Sequence, residues 1–153
     1  CRSCRKDARM KFISHRGNIN GPNPEEENRP NYIAEAWGVG YEVEIDVWRM
    51  GEKWFLGHDN PQYEVDLAFL QNERLLCHAK NLEALDHMLT LGDIHCFWHQ
   101  EDHYTITSNG YIVSYPGYAI TPRTICMKPE LQSYAFVHEN AYAICSDYVE
   151  IFK

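Results

Sequence analysis

Long hydrophobic runs, internal repeats and low-complexity tracts are absent from this 153-residue sequence. No stretch approaches the ~20 apolar residues of a membrane-spanning helix, so we expect no membrane span. Positive charge is scarce as well, because 14 Lys and Arg stand against 22 Asp and Glu, a net charge of −8. So acidic a chain is poorly suited to neutralise the phosphates of a nucleic acid or an anionic membrane surface. Binding of a small phosphorylated ligand would need a local cation or arginine.

The six cysteines fit neither a zinc site nor a disulfide framework. Cys1 and Cys4 form a CxxC pair, but no second pair and no histidine pair follows at zinc-finger spacing. The other four lie in separate short apolar runs, which predicts buried hydrophobic side chains (Cys77, Cys96, Cys126 and Cys145). Residues 1–9 lack the apolar segment of a secretory signal. Together these features predict a reducing, cytoplasmic location.

Length and composition predict one globular domain. Hydrophobic residues make up 44% of the chain, which is enough for a sizeable core. Met10 directly precedes the segment K-F-I-S-H-R-G. We therefore expect residues 1–9 to be an upstream or cloning-derived tail and residues 10–153 to form the domain.

Short strands alternate with short helices in the first half of the chain. The predicted strands are Lys11–Ser14, Tyr41–Val47, Lys53–Leu56, Leu75–Ala79, His95–His99, Tyr111–Tyr115, Thr124–Met127 and Tyr142–Cys145. The predicted helices are Asn31–Val39 with Asn31 as its N-cap, Asp66–Asn72, and Asn81–Leu91. In the last helix Leu82, Leu85 and Leu89 repeat at helical spacing, which makes it the clearest of the predicted helices. Asn81 can cap this helix and Gly92 can end it.

Strands that alternate with helices favour parallel strands joined by crossover helices. The second half of the chain has strands with almost no room for helices between them, and a complete (β/α)₈ barrel typically needs ~250 residues. The predicted fold class is therefore α/β, a reduced TIM-type (β/α) barrel with several helices missing in the C-terminal half. Because an incomplete barrel leaves apolar surface uncovered, we also expect a homo-oligomer.

The strand Tyr41–Val47 carries a carboxylate at every second position, Glu42, Glu44 and Asp46. These carboxylates share one face of the strand and lie about 7 Å apart. One interpretation is the solvated face of an antiparallel strand. The other is a bound divalent cation that removes the repulsion between the carboxylates, since Mg²⁺ and Ca²⁺ prefer carboxylate oxygens.

Polar residues gather at the C-terminal ends of the predicted strands, and in a parallel barrel these ends meet on one rim. They are His15 and Arg16, Glu44 and Asp46, His58 and Asp59, His78 and Lys80, and His99 and Gln100. Two histidines can divide general base and general acid work, and arginine and lysine can hold phosphoryl oxygens. Each residue also has an ordinary interpretation, as a surface side chain or a hydrogen-bonded histidine. As a set, they predict a site for a phosphodiester.

Four motifs recur in order over Phe12–Asp59: I-S-H-R-G at Ile13–Gly17, E-N at Glu27-Asn28, E-I-D-V at Glu44–Val47 and G-H-D at Gly57–Asp59. They resemble the glycerophosphodiester phosphodiesterases of the phosphatidylinositol-phospholipase-C-like superfamily. Later in the chain, L-L-C-H-A-K ending at Lys80 and A-I-C-S-D ending at Asp147 are similar to that family's strands ending in E-x-K and T-D. Between these segments the resemblance is faint.

The resemblance implies a TIM barrel and a metal-dependent hydrolysis of a small glycerol-type phosphodiester. It implies an acid–base pair (His15 and His58), phosphate-binding residues (Arg16 and Lys80) and ligands for Mg²⁺ or Ca²⁺ (Glu44 and Asp46). The family has a further carboxylate ligand two residues before the lysine, where this chain has His78. His78 can ligate without negative charge, and Glu27 or Glu42 would compensate. Related spider-venom phospholipase D enzymes cleave by cyclisation, so hydrolysis and cyclisation both remain open.

Two aromatic segments occupy the part of the chain where the resemblance is weakest, Trp98–Tyr104 and Ser114–Tyr118. Their aromatic rings can stack on a sugar or polyol, or they can cover a barrel wall left bare by missing helices. We predict three substrate-binding residues here, namely Trp98, His99 and Tyr115.

The function predicted from these residues is a small metal-dependent phosphodiesterase. The alternative is a non-catalytic module that binds a phosphate ester or polyol on the same barrel. A carboxylate-based glycosidase using Glu42 or Glu44 with Glu27 would leave His15 and His58 without roles.

Overall fold

The structure is a computed structural model that describes residues 9–132 and 139–153. The predicted tail lies outside the described residues except for Arg9. The α-helices are α1 (Pro30–Gly38), α2 (Leu67–Leu70) and α3 (Leu82–Leu91). The strands are β1 (Lys11–His15), β2 (Glu42–Met50), β3 (Lys53–Leu56), β4 (Tyr63–Val65), β5 (Leu75–Ala79), β6 (Cys96–Phe97), β7 (Tyr104–Ile106), β8 (Ile112–Ser114), β9 (Thr124–Met127) and β10 (Ala143–Ser146). Two short 3-10 helices lie at Pro129–Leu131 and Val149–Phe152.

All ten strands belong to one mixed sheet that curls into a half-barrel. Its parallel part runs in the order β6-β5-β2-β1-β10-β9-β8. The antiparallel strands are β3 and β4, which extend from β2, and β7, which pairs with β8. Beyond the strand pairs, the backbone N–H of Ser108 donates to the carbonyl oxygen of Cys96 at 2.8 Å, which ties the segment after β7 to β6. Because the strands from β6 to β8 in this order are parallel, their C-terminal ends lie at one rim of the half-barrel.

Strands β1 and β3 both pair with the same edge of β2, β1 with its first residues and β3 with its last. The N–H of Arg16, just after β1, donates to the carbonyl oxygen of Glu44, and the N–H of Gly57, just after β3, donates to that of Asp46. These two hydrogen bonds bring the segment that follows β3, including His58, beside the end of β1.

The two faces of the sheet have different partners. One face packs against the helices through a core that includes Val43, Ile45, Val47, Leu75, Cys77, Ala79, Ala84 and Met88. The other is the inner face of the half-barrel, with a core of Ile13, Leu76, Phe97, Val113, Ile125, Met127, Ala143 and Cys145. Because side chains alternate along a strand, the apolar set of β2 faces the helices and its acidic set faces the inner core.

Several predicted elements are confirmed by the structure. Strands β3, β5 and β9 have the predicted bounds. The side chain of Asn81 accepts a hydrogen bond from the N–H of Ala84, and Gly92 ends α3 in the left-handed conformation with φ 77°. After α3, the described residues contain no α-helix, as expected for a C-terminal half with little room for helices.

The leucine repeat that predicted α3 coincides only in part with its buried face, since Leu85 alone of the three packs against the core. Leu82 and Leu89 are 71% and 52% exposed, whereas Ala84 and Met88 are fully buried. Two sets of side chains on α3 have helical spacing, one through Leu82 and Leu89 and the other through Ala84 and Met88. Packing against the sheet selects the set through Ala84, because its small side chain allows close approach.

Other element bounds differ from the prediction for local reasons. Helix α1 begins at Pro30 rather than Asn31, because proline is well suited to the first helical position. Helix α2 is shorter than predicted, and Asp66 is its N-cap. The unpredicted strands β4 and β7 have three residues each and end the sheet order β4-β3-β2-β1-β10-β9-β8-β7. Edge strands this short carry too few residues for an alternating pattern to be recognised.

The four described cysteines are buried free thiols, in agreement with the prediction that they pack as small hydrophobic residues. Cys1 and Cys4 lie outside the described residues. Within the described part of the chain, none of the helices has both the length and the apolar character needed to cross a membrane.

Candidate active site

A cavity of about 760 Å³ opens on the inner face at the C-terminal ends of the parallel strands. Eight of the predicted site residues line it: His15, Arg16, Glu44, His58, His78, Lys80, His99 and Tyr115. A second cavity of about 350 Å³ lies beside it and includes Glu27, Asn28, Asp59 and Asp147 in its wall. The two cavities share His15, Arg16, His58 and Lys128, so these side chains stand at their boundary.

Two of the three acidic side chains of β2 are buried rather than solvated, so the interpretation as a wet antiparallel face is wrong. Glu44 is 1% exposed, Asp46 is 0% exposed, and their strand runs parallel to both β1 and β5. Asp46 lies opposite His78 in the register of β2 and β5. One ligand atom from each of Glu44, Asp46 and His78 lies within 4.8 Å of the others. We call these three residues the cation group.

The Nδ1 atom of His78 faces the two carboxylates. Its Nε2 lies 3.1 Å from the carbonyl oxygen of His99, which can only accept, so we assign the proton of the neutral ring to Nε2. Nδ1 then faces Asp46 Oδ1 at 3.4 Å and Glu44 Oε1 at 3.9 Å. Without a proton Nδ1 can ligate a cation, whereas with one it donates toward Asp46, which is the contact that lowers the pKa of Asp46. A histidine that ligates a metal commonly donates its other N–H to a carbonyl, as here.

Two buried carboxylate oxygens of the cation group accept no hydrogen bond, Glu44 Oε2 and Asp46 Oδ1. Such oxygens are costly to bury without a partner. The donor set of two carboxylates and one imidazole suits a divalent cation. The residues present therefore fit a cation bound at this position.

The two carboxylates of the cation group differ in their protonation. Burial, and then the nearby charge of Asp46, raise the pKa of Glu44. Burial also opposes ionisation of Asp46, but contacts with His78, Arg16 and Asn28 hold its pKa well below the usual range. Without a cation, Asp46 is therefore ionised and Glu44 is the group that takes up a proton.

Arg16 and Asn28 hold the loop after β1 against the cation group. Arg16 Nε lies 3.0 Å from Asp46 Oδ2, and Asn28 Nδ2 donates to the same oxygen at 2.9 Å. Asn28 Oδ1 accepts from the backbone N–H of Asp46, also at 2.9 Å. Arg16 and Asn28 adopt left-handed conformations with φ 56° and 66°; asparagine tolerates this conformation, whereas for arginine it is uncommon and is found preferentially at functional sites. Lys80 Nζ adds a second positive charge 3.9 Å from Asp46 Oδ1.

His15 lies between the cation group and Asp147. Its Nδ1 is 2.7 Å from Asp147 Oδ1 and its Nε2 is 3.6 Å from Glu44 Oε2. Burial opposes ionisation of Asp147, but contacts with His15, Asn18 and Lys128 hold its pKa well below the usual range. An ionised Asp147 accepts the Nδ1 proton of His15. The Nε2 atom is then the one that exchanges a proton in the cavity.

His58 repeats this arrangement nearer the solvent. Its Nδ1 is 2.7 Å from Asp59 Oδ1, and its side chain is 46% exposed. It follows Gly57, whose φ of 153° and close approach to the carbonyl oxygen of Asn60 leave no room for a side chain. The tight turn therefore fixes where His58 enters the cavity wall.

The remaining predicted residues divide between the cavity and other parts of the fold. His99 and Tyr115 line the cavity with their rings stacked at 3.5 Å between centroids. Glu27 accepts a hydrogen bond from Asn18 at 2.8 Å and lies outside the cation group. Glu42 forms an ion pair with Lys11. Trp98 packs against the core on the helix side of the sheet, so it is not brought to the cavity.

Sequence reasoning assigned no role to four residues that hold the site together, Asn18, Asn28, Lys128 and Asp147, although Asn28 and Asp147 belong to motifs quoted above. Lys128 and Asp147 directly follow β9 and β10, as Arg16 and Lys80 follow β1 and β5. The rule that polar residues gather at strand ends could therefore have included them. Asn18 donates to Glu27 and Asp147 from within a loop, and nothing in its local sequence signals that role.

No protein-family model matches this chain, and the same holds for the curated proteins and the solved structures. The chemistry of the cavity therefore has to be derived from its own side chains. Those side chains supply a cation group, two histidines oriented by carboxylates, and three positive charges (Arg16, Lys80 and Lys128). This combination can bind an anionic group and move protons beside it.

Proposed function

We propose that the protein is a metal-dependent phosphodiesterase acting on a small glycerophosphodiester-like substrate, on a fold that is a reduced TIM-type barrel. The observation that carries the proposal is the position of His15. This histidine is oriented by Asp147 at 2.7 Å and lies 3.6 Å from Glu44 of the cation group. A proton-transfer group, a cation site and basic side chains in one cavity are the requirements of phosphodiester cleavage.

Glu44, Asp46 and His78 would hold the divalent cation, Mg²⁺ or Ca²⁺. When bound, the cation offsets the negative charge that grows on the phosphoryl oxygens. Because His78 contributes no negative charge, we expect weaker binding of these hard cations than by three carboxylates.

The chain's own residues bind the phosphoryl group and move the protons. Arg16 and Lys80 donate to phosphoryl oxygens. As the oxygen of a water or of a substrate hydroxyl forms its bond to phosphorus, one histidine of the His15 and His58 pair takes the proton of that oxygen. As the bond from phosphorus to the leaving oxygen breaks, the other histidine gives that oxygen a proton. The protein returns to its starting state when the two histidines have re-equilibrated their protons with solvent.

The wall of the larger cavity supports a substrate with a polyol or ring-bearing alcohol. His99 and Tyr115 present a stacked pair of rings there, beside Phe97. Burial raises the pKa of Tyr115, so its hydroxyl stays protonated and able to donate to a substrate oxygen.

A non-catalytic module that binds phosphate esters is the second candidate. It is favoured by His78, which leaves the cation group with two carboxylates. Such a module would use the same Arg16 and Lys80 contacts without proton transfer.

Hydrolysis of bis-p-nitrophenyl phosphate and of glycerophosphodiesters tests the proposal, with Mg²⁺, Ca²⁺, Mn²⁺ or EDTA. We expect cation-dependent turnover that falls by about 10²–10⁴ in His15→Ala, as for a general acid–base residue. His87→Ala is the matched control, because this histidine is on α3 outside both cavities. Equal rates in wild type and His15→Ala would contradict the assignment. Tight binding of a phosphate ester without product would favour the binding module.

We also propose a homo-oligomer in a reducing, cytoplasmic environment. Exposed apolar side chains on α3 and β7 support assembly, namely Leu82, Leu89, Leu91 and Ile106. The four buried free thiols support a reducing environment. Sedimentation as a monomer would contradict the assembly.

A further inference from the structure

Charged side chains at the strand ends alternate in sign across five neighbouring parallel strands. In the sheet order β5, β2, β1, β10, β9 they are Lys80, Asp46, Arg16, Asp147 and Lys128. Ion pairs join neighbours along this row, at 3.9 Å for Lys80 and Asp46, 3.0 Å for Arg16 and Asp46, and 3.2 Å for Lys128 and Asp147. Lys128 is the positive end of the row on the side away from the cation group.

The backbone holds Lys128 in an unfavourable conformation that aims its side chain at the site. Its φ of 48° lies in the left-handed region, where residues other than glycine are uncommon, and its N–H donates to the carbonyl oxygen of Cys145 at 2.7 Å. Such conformations persist where surrounding structure enforces them, and they cluster at ligand sites. The Lys128 side chain is 31% exposed and lines both cavities.

Lys128 and the cation group are linked to different ring nitrogens of His15. On one side, His15 Nε2 is 3.6 Å from Glu44. On the other, Asp147 uses one oxygen for His15 Nδ1 and the other for Lys128 Nζ. Lys128 also stands at the boundary of the two cavities together with His15, Arg16 and His58. Lys128 is therefore linked to His15 through Asp147 and also faces the cavities in which an anion would bind.

We propose that Lys128 is a substrate-binding residue whose ammonium group donates a hydrogen bond to a phosphoryl oxygen at the boundary of the two cavities, which it shares with His15, Arg16 and His58. The catalytic part of this role rests on the proposed function, but the contact with the anion does not. If Lys128 served only to neutralise Asp147, phosphate binding would be independent of its side chain.

Binding of inorganic phosphate to the full chain in EDTA, measured by calorimetry, tests the contact without a metal. The variant is Lys128→Asn, because asparagine tolerates the left-handed conformation and the fold is expected to survive. We expect phosphate affinity to fall about ten- to hundredfold, as for the loss of a hydrogen bond to a charged group. Lys53→Asn is the matched control, since Lys53 pairs with Glu64 at the surface outside both cavities. Unchanged affinity in Lys128→Asn would overturn the proposal.

Two further measurements separate a direct contact with phosphate from an effect on folding or an effect through Asp147. Lys128→Arg retains the charge and is expected to keep most of the phosphate affinity, and thermal unfolding shows whether each variant is folded. A shift in the pH–rate profile of Lys128→Asn with unchanged phosphate affinity would also overturn the proposal, because it would show an effect through Asp147 alone. Phosphate binding that depends on Lys128 in a protein that cleaves no diester would support this inference while the proposed activity fails.

Discussion

Replacing Glu44 by glutamine is expected to stabilise the cation-free protein and to abolish its response to divalent cations. Glu44 is 1% exposed, its Oε2 accepts no hydrogen bond, and Asp46 lies beside it. The Glu44→Gln variant removes a buried negative charge and supplies an N–H that can donate toward Asp46 or the Nδ1 lone pair of His78. The same change removes a cation ligand.

The expected gain in stability follows from the unsatisfied oxygen. A buried acceptor without a partner costs about 1–3 kcal/mol. For a chain of 153 residues, each kcal/mol shifts the midpoint of thermal unfolding, Tm, by about 2–4 °C. We therefore expect Tm of Glu44→Gln in EDTA to exceed that of wild type by roughly 2–12 °C.

The gain should depend on pH in one direction. Because the pKa of Glu44 is raised in the folded protein, its contribution to stability is complete below the unfolded pKa and is lost as pH rises through the folded pKa. The advantage of Glu44→Gln should therefore be largest at mildly alkaline pH and shrink at acidic pH, where wild-type Glu44 is protonated.

Thermal unfolding followed by circular dichroism, in EDTA and across a titration of Mg²⁺ or Ca²⁺, measures both effects. A cation at a hundred times its dissociation constant stabilises wild type by about 2.7 kcal/mol, and the variant should lose most of this gain. Glu64→Gln is the control, because Glu64 is exposed and pairs with Lys53, and it should change stability by less than about 0.5 kcal/mol. A variant less stable than wild type in EDTA at alkaline pH, or stabilised equally by the cation, would refute the reasoning.

Three further predictions concern the supports of the site and the fold. The low pKa of Asp147 means that its carboxylate contributes stability at pH above its ordinary pKa of 3.8, which is lost as pH falls toward the folded pKa. Asp147→Asn should remove this acid-dependent part, which urea unfolding across acidic pH would detect, and unfolding curves that keep the wild-type acid dependence would contradict it. Gly57→Ala should destabilise the fold by more than about 1 kcal/mol, because φ is 153° and the new methyl group would collide with Asn60. Gly40→Ala, with φ 98° and open space around it, should cost less in the same thermal unfolding assay, so equal losses would argue against the steric cause. Asn81→Ala should cost about 0.5–2 kcal/mol because it removes the N-cap of α3, and an unchanged Tm would show that the cap is dispensable.

The local sequence pattern predicted strand bounds correctly where strands are buried on both faces. It failed where packing decides which side chains of an element are buried. Strands β5 and β9 were predicted with their observed bounds because each is a short apolar run between turns. The leucine repeat predicted helix α3 but did not identify its buried face, because contact with the sheet buries Ala84 and leaves Leu82 exposed. The edge strands β4 and β7 depend on neighbours far along the chain or beyond a turn, so their own three residues carry little signal.

Much of the site could be predicted because its residues lie within recognisable strands, as Glu44 and Asp46 do, or directly after them, as Arg16 and Lys80 do. The alternation along β2 was likewise enough to place Glu44 and Asp46 on one face. It could not show that this face is buried, because burial requires the strands on either side, β1 and β5. The exclusion of Trp98 from the cavity depended in the same way on which face of the sheet meets the helices.

By itself, then, the sequence determined which side chains stand at the ends of strands, because alternation and termination are local properties of the backbone. Only the tertiary structure decided how those ends are joined. His15 and Asp147 are 132 positions apart, and they meet at 2.7 Å because the first and last strands pair in the sheet. Lys128 reaches Asp147 because β9 pairs with β10. Strand order depends on how the whole sheet curls, and that order has no counterpart in the spacing of any one segment.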